Sequence, residues 1–255
     1  MRLKKITNYA CYYGTGRLLD MAAFDLVILQ PAHYTIGQIK FLRARGTRTI
    51  AYLSIGETAK LDSAADWYML EPQSRVPARN PRWQTTFVDC RAPAWQAHLL
   101  QRRIPDILAR GFEGLFLDTL DVQDLYPETR SAVICLLHRI RDQYPNLILV
   151  ANRGFSILER VIADLDVVAF EAFSTYYDNG CYQAWGRSDR AWTETIAAQL
   201  RVTCSGCPIL ALDYAAPDDH RLRSIAKSRA REHGFLSFVS TYALDWLPES
   251  RVGNA

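Results

Sequence analysis

Two short apolar runs in the sequence each end in a carboxylate side chain. The run 114–117 is followed by Asp118 and, three residues later, by Asp121. The run 167–170 is followed directly by Glu171. Apolar runs of this length that stop at an acid are typical of buried parallel strands, which deliver their last residue to the carboxyl edge of a sheet. Two acids on separate strands can face each other across a cleft, which is the minimum requirement for glycoside hydrolysis.

We therefore predict that Asp118 and Glu171 form a catalytic pair. Asp118 could instead cap a helix, but a cap does not need two acids three residues apart after an apolar strand. Glu171 could instead belong to a structural ion pair. Burying a charge inside an apolar run costs free energy, however, which favours a catalytic role. The five histidines share no strand-end grouping, which gives no support to a histidine-based triad or metal site. We expect no metal and no cofactor.

A regular alternation of strand-like and helix-like segments positions these acids. Between most of the strands, apolar residues recur at spacings of three and four, the pattern of an amphipathic helix. Alternating strands and helices imply right-handed crossovers and a parallel sheet. The eight predicted strands are 9–13, 25–30, 49–54, 114–118, 147–151, 166–171, 209–214 and 235–240.

Eight parallel strands in a chain of 255 residues fit a closed (β/α)8 TIM barrel better than an open doubly wound sheet. No Gly-x-Gly-x-x-Gly follows the first strand, so a dinucleotide is not expected. We predict an α/β fold in which residues 1–255 form a single domain. A long excursion at about 57–93 interrupts the pattern, and its loop 71–81 is a candidate wall of the cleft, because long loops in compact folds are usually functional.

In a barrel of this type, the active face lies at the carboxyl ends of the strands. Acids and aromatic residues predominate at the predicted ends, which favours cationic or polyhydroxylated ligands that stack on aromatic rings. The acids and tyrosines could also serve only as supporting hydrogen-bond partners and rim packing. Arg153 is interpreted as the ion partner of a neighbouring acid. We predict substrate contacts from Tyr12, Glu57, Asp121, Asn152, Asp213, Tyr214 and Tyr242.

The composition excludes several classes of protein. The 30 basic and 27 acidic residues are spread along the chain without a basic tract, so nucleic acid is not an expected partner. No apolar run approaches the length of a membrane span, and the first residues lack the apolar stretch of a signal peptide, which predicts a cytoplasmic protein. Cys204 and Cys207 have the spacing of a zinc or redox pair, but one such pair alone is weak evidence.

An ordered set of motifs, between about Tyr9 and Tyr242, resembles glycoside hydrolase family 114, the endo-α-1,4-polygalactosaminidases. The resemblance implies a (β/α)8 barrel that cleaves α-1,4-linked galactosamine polymers, with an amino-sugar oligo- or polysaccharide as its partner. It also implies a catalytic pair of a strand-four Asp and a strand-six Glu, which match Asp118 and Glu171. Members of that family are typically exported, whereas this chain shows no export signal. The motifs are YLSIGE at 52–57, FVDCR at 87–91 with Trp95 and Gln96, GFEGLFLDTLD at 111–121, NRG at 152–154, FE at 170–171 and LDY at 212–214.

The function predicted from these features is a metal-independent, retaining endo-glycosidase, with Asp118 as the nucleophile and Glu171 as the acid/base. A retaining pair requires carboxyl groups about 5–5.5 Å apart, whereas an inverting pair requires roughly 6.5–9.5 Å. Two alternatives stay open at this point. One is a carbohydrate-binding barrel without catalysis, and the other is a divalent-metal enzyme with Asp118, Asp121 and Asp213 as oxygen ligands.

Overall fold

The computed structural model describes residues 5–58, 79–80 and 83–248. All eight predicted strands are present, each within one residue of its predicted bounds. They form one parallel sheet that curls into a (β/α)8 barrel, as predicted. In order round the barrel, the strands are β1 (Tyr9–Tyr12), β2 (Leu26–Leu29), β3 (Arg48–Ser54), β7 (Gly114–Asp118), β8 (Ile148–Asn152), β9 (Val167–Glu171), β12 (Ile209–Tyr214) and β13 (Leu236–Ser240).

Helices pack outside the strands and cover the barrel. A short π-helical stretch, Leu99–Arg103, joins two of them into one continuous helical segment. Two helix starts carry side-chain caps: Thr35 accepts from the backbone N–H of Gln38, and Asp219 accepts from that of Leu222. The α-helices are α1 (Leu18–Met21), α2 (Ile36–Ala44), α3 (Pro93–His98), α4 (Ile104–Ala109), α5 (Val122–Leu125), α6 (Arg130–Gln143), α7 (Leu158–Val161), α8 (Arg187–Thr203) and α9 (His220–Glu232).

The barrel closes where the last strand meets the first. β13 lies beside β1, and just beyond the strand ends the N–H of Tyr13 donates to the carbonyl of Leu244 at 2.7 Å. Inside the wall the strands approach closely at Gly114, where a Cβ atom would lie 2.3 Å from the carbonyl oxygen of Ile148. Glycine is therefore required at the start of β7.

The strand order decides which side chains meet at the carboxyl face. β8 lies between β7 and β9, so the end of β8 stands between the two strands that carry the predicted catalytic acids. Asp118 is the last residue of β7, Asn152 the last of β8 and Glu171 the last of β9. The three side chains consequently reach the same edge of the sheet.

Two small sheets stand above the barrel on this face. Three short strands form the described part of the long excursion: β4 (Glu57–Thr58), β5 (Arg79–Asn80) and β6 (Thr85–Phe87). Most of the predicted loop 71–81 lies outside the described residues. A hairpin of β10 (Thr175–Asp178) and β11 (Cys181–Ala184) follows β9 and turns at Asn179 and Gly180, which both have positive φ, as a tight two-residue turn requires.

None of the helices in the described ranges is long and apolar enough to cross a lipid bilayer.

Candidate active site

One amide side chain connects the two predicted catalytic acids. Nδ2 of Asn152 donates to Oδ1 of Asp118 and to Oε2 of Glu171, at 2.7 Å in each case. An amide nitrogen carries two hydrogens, so Asn152 can serve both acceptors at once. Asn152 itself is buried, whereas both acids are partly exposed at the mouth of the barrel. The arrangement fixes two carboxyl groups side by side with access from solvent.

Tyrosine hydroxyls complete the polar surroundings of the pair. The hydroxyl of Tyr214, the last residue of β12, donates to Oε1 of Glu171 at 2.6 Å. Tyr52 on β3 lies close to Asp118, and burial followed by the charge of that carboxylate raises the pKa of its phenol. Tyr13 packs edge-on against Tyr52, with ring centroids 5.4 Å apart. Tyrosine side chains therefore surround the two acids with aromatic faces and hydroxyl groups. This combination is typical of a site that binds a ligand ring bearing hydroxyls.

The surroundings of Asp118 make its carboxyl group harder to ionise. Burial, and then the charge of Glu171, raise the pKa of Asp118 to about 7, although the hydrogen bond from Asn152 opposes this shift. In the described ranges no Lys, Arg or His forms an ion pair with either acid. Burial and the neighbouring like charge therefore favour the protonated form of Asp118 in the free protein.

Backbone strain is concentrated directly after these three strand ends. Thr119, Arg153 and Ala172 follow the two acids and the bridging Asn, and all three have left-handed backbone angles, with φ of 59°, 57° and 54°. A non-glycine residue in this region costs about 1–2 kcal/mol. The hydroxyl of Thr119 compensates in part, because it accepts from the N–H of Gly56 at 2.6 Å. Backbone strain of this kind is concentrated at functional sites, where the surrounding packing and hydrogen bonds maintain the strained angles.

Asp213 was predicted to contact substrate, and its position contradicts this. The side chain is fully buried, and its Oδ1 accepts from the backbone N–H groups of Ser174 and Thr175 at 2.5 and 2.8 Å. Burial raises its pKa to about 6. Asp213 instead holds the start of β10 in place behind Glu171.

Replacing Asp213 should affect stability more than substrate recognition. Asp213→Ala leaves two buried N–H groups without an acceptor, at a cost of about 1–3 kcal/mol each. We expect a loss of about 2–5 kcal/mol in the free energy of unfolding, measured by denaturant titration. Asp213→Asn retains the acceptor oxygen and should lose much less. Equal stabilities for wild type and Asp213→Ala would show that Asp213 does not hold this segment.

Two tyrosines predicted to contact substrate are also placed differently. Tyr12 is buried, and its hydroxyl donates to the carbonyl of Thr15 at 3.0 Å, so it packs within the first turn of the rim. Tyr242 lies between two other rings, Trp83 and Tyr177, with both centroid distances 4.6 Å and interplanar angles near 20°. Neither face of Tyr242 is open to a sugar. Tyr214 is buried and contacts Glu171 directly, as described above.

Glu57 organises the excursion that covers the face. Its Oε1 accepts from the amide of Asn80 at 3.1 Å, and its Oε2 accepts from the hydroxyl of Thr85 at 2.5 Å. These bonds tie β4 to β5 and β6. Glu57 also lines a cavity in the described part of the chain, so a substrate contact stays a prediction for this residue.

That cavity, of about 710 Å³, is lined by residues that follow β7 and β8 and by α8, and neither Asp118 nor Glu171 lines it. Asp121 lies in its wall and is 42% exposed, and Nε of Arg153 stands 3.6 Å from its carboxylate. Arg153 is thus placed as the ion partner of a neighbouring acid. Trp192 on α8 forms part of the opposite wall. Asp121 therefore stays a predicted substrate contact.

The acids of the metal alternative do not converge. In the described part of the chain, no group of three His, Cys, Asp or Glu side chains is arranged to hold a metal ion. Asp213 is directed towards backbone N–H groups, away from Asp118 and Asp121. Cys204 and Cys207 are free thiols, and burial raises the pKa of each.

The family model for glycoside-hydrolase family GH114 matches residues 5–254. Among solved structures, the glycoside hydrolase domain of PelA from Pseudomonas aeruginosa is 34% identical, with a TM-score of 0.82 over 95% of this chain and 98% of that one. Ega3 from Aspergillus fumigatus, solved in complex with galactosamine, is 13% identical, with a TM-score of 0.69 over 96% and 95%. An α-galactosidase from Thermus thermophilus is 14% identical, with a TM-score of 0.58 over 96% and 60%. A search of curated proteins finds no match.

Proposed function

Because this chain belongs to glycoside-hydrolase family GH114 and is therefore a glycoside hydrolase, we propose that it cleaves internal bonds of an α-1,4-linked galactosamine polymer. Asp118 and Glu171 are the proposed catalytic pair, in one domain formed by residues 1–255. The observation that carries the proposal is the amide of Asn152, which holds both carboxylates at 2.7 Å. The galactosamine bound to Ega3, a protein of the same fold, supports the choice of sugar.

The spacing of the pair supports retention of configuration. Oδ1 of Asp118 and Oε2 of Glu171 share one donor nitrogen, so they can be no farther apart than twice 2.7 Å. Retaining pairs stand about 5–5.5 Å apart, whereas inverting pairs stand roughly 6.5–9.5 Å apart to admit a water molecule. The shorter spacing supports roles in which one carboxylate reaches the anomeric carbon and the other reaches the glycosidic oxygen.

The proposed reaction proceeds in two steps. Asp118 attacks the anomeric carbon while Glu171 donates its proton to the glycosidic oxygen, so a covalent sugar–Asp118 bond forms as the linkage breaks. Water then attacks the same carbon, gives a proton to Glu171 and releases Asp118. Tyr214 and Asn152 hold Glu171 in position through both steps.

These roles need an ionised Asp118, although burial and the charge of Glu171 raise its pKa in the free protein. A galactosamine unit carries an ammonium group on the carbon next to the anomeric centre. A positive charge within about 4–6 Å lowers the pKa of a carboxyl group. The nearby protein cation, Arg153, already faces Asp121. We infer that the substrate supplies the charge that ionises its own nucleophile.

A polymer with free amino groups should therefore be cleaved faster than its N-acetylated form. We expect kcat/KM to differ by at least about tenfold, because an ammonium near a partly buried carboxylate is worth more than about 1.4 kcal/mol. The part of this preference that arises from exposed acids such as Asp121 should shrink above roughly 0.1 M salt, where the Debye length is about 10 Å. Equal kcat/KM values for both polymers at low salt would contradict the proposed substrate.

The function is tested by incubating the protein with galactosamine oligomers of defined length and following the products by mass spectrometry. Internal cleavage should yield oligomers of intermediate length from the first turnovers. Release of single sugars alone would indicate an exo-acting enzyme. Binding without turnover would indicate a carbohydrate-binding barrel, and loss of activity in a chelator would indicate a metal enzyme.

A further inference from the structure

A stack of three aromatic rings crosses one side of the barrel mouth. Tyr242, in the loop after β13, lies between Tyr177 on β10 and Trp83 in the turn before β6. Each neighbour is 4.6 Å from the Tyr242 centroid and nearly parallel to its ring, so the two neighbours cover opposite faces. The stack joins elements that follow the third, sixth and eighth strands of the barrel.

The inner part of this stack is held firmly. Tyr182 on β11 packs on Tyr177, with centroids 4.9 Å apart, and its hydroxyl accepts from the backbone N–H of Tyr242 at 3.1 Å. Tyr242 also contacts Tyr214 edge-on at 5.8 Å. Because the hydroxyl of Tyr214 donates to Glu171, the stack is in direct contact with the support of a proposed catalytic acid.

The outer end of the stack is open to solvent. Trp83 is 47% exposed, which is unusual for a tryptophan, although one face of its indole is covered by Tyr242. Its turn is anchored through Glu57, which binds Asn80 on one side of Trp83 and Thr85 on the other. A large aromatic ring is thus presented to solvent while it is already ordered against Tyr242, so it loses little conformational freedom when a ligand binds.

We infer that Trp83 is a platform on which a sugar unit of the polymer stacks, outside the bond that is cleaved. This inference rests on the proposed function. In the galactose configuration, the axial C4 hydroxyl leaves one ring face lined by C–H groups, which pack on an indole. An ammonium substituent adds a cation–π attraction, for which tryptophan is the best partner. Trp83 does not line the cavity of about 710 Å³, so the platform is a contact separate from that cavity.

The first arm of the test measures kcat/KM on galactosamine oligomers of increasing length. Trp83→Ala should match wild type on the shortest oligomer that is cleaved and should lose about tenfold on longer ones. Trp83→Phe should recover part of the loss, because it restores a stacking ring. Trp192→Ala is the matched control, since Trp192 is 45% exposed but belongs to the cavity wall. Equal losses for Trp83→Ala and Trp192→Ala at every length would overturn the inference.

The second arm does not depend on turnover. Glu171→Gln, with and without Trp83→Phe, is titrated with a long galactosamine oligomer while tryptophan fluorescence is recorded. The inference predicts a fluorescence change on binding to Glu171→Gln, in which Trp83 is intact. When Trp83→Phe is added, that change should be lost and binding should be weaker. If wild type cleaves nothing but this signal appears, the platform stands and the proposed function fails. If wild type cleaves the polymer but neither arm depends on Trp83, the proposed function stands and the platform is overturned. The platform is also overturned if neither arm gives a signal.

Discussion

Asp118→Asn and Glu171→Gln are each expected to lower kcat by at least about 10³-fold while the fold is retained. Each substitution preserves the size of the side chain and removes only the ability to attack or to transfer a proton. The amide of Asn152 would still have an acceptor oxygen at both positions, so the bridge between β7 and β9 need not be lost. The rates are measured on a galactosamine oligomer that wild type cleaves, with circular dichroism as the check on folding.

Asp121→Asn is the matched control for this experiment. Asp121 lies three residues beyond Asp118, is partly exposed and faces Arg153 at 3.6 Å. Its replacement removes one negative charge from the same cleft without touching the bridged pair, so kcat should fall by less than about tenfold. A near-normal rate for Asp118→Asn or Glu171→Gln would remove that residue from the mechanism.

Asn152→Ala is expected to give the second largest effect, a fall in kcat of about 10²-fold. The substitution removes the donor that both carboxylates share and leaves them to repel each other. The hydrogen bond from Asn152 lowers the pKa of Asp118, so its loss raises that pKa further. Because the nucleophile must be ionised, the acidic limb of the pH–rate profile should move to higher pH. The rates are measured between about pH 4 and 9, a range that spans the raised pKa of Asp118.

Tyr214→Phe separates the effect of a lost hydrogen bond to Glu171 from the effect of a lost hydrogen bond to Asp118. It removes a donor to Glu171 alone, since the hydroxyl of Tyr214 bonds to Oε1 of that residue. The acidic limb assigned to Asp118 should therefore shift less than in Asn152→Ala. An unchanged profile in Asn152→Ala would show that the bridge does not set the ionisation of the pair.

The sequence was sufficient to predict the fold and the meeting of the two acids, for a physical reason. Apolar runs that stop at a polar residue mark where a buried strand ends, and in a parallel barrel all such ends meet on one face. Asp118 and Glu171 were found by this rule. The role of Asn152 as a bridge follows only once the strand order is known, because it depends on β8 lying between β7 and β9.

This rule locates the ends of the strands, but it does not give the direction in which a strand-end side chain points. Successive residues of a strand face opposite sides, so Tyr214 reaches Glu171 while its neighbour Asp213 is turned towards the backbone of β10. The same alternation buries Tyr12 in the rim and leaves Tyr13 packed on Tyr52. Both corrections concern residues one position away from a side chain that does face the acids.

Tyr52 and Trp83 were missed for different reasons. Tyr52 lies inside β3, where the sequence alone does not distinguish a ring that points into the mouth of the barrel from one in the core. Trp83 lies in a turn of the excursion, where no periodic pattern predicts a partner. Its contact with Tyr242 joins residues distant in sequence, and only the fold brings them together.

The central claim is that Asp118 and Glu171 act as a retaining pair, and the stereochemistry of the first product tests it most directly. Proton NMR can follow the anomeric signal of the reducing end released from an α-1,4-linked galactosamine oligomer before mutarotation. Two displacements at the anomeric carbon should give the α-anomer first. Initial formation of the β-anomer would show a single displacement by water and would contradict the proposed retaining pair.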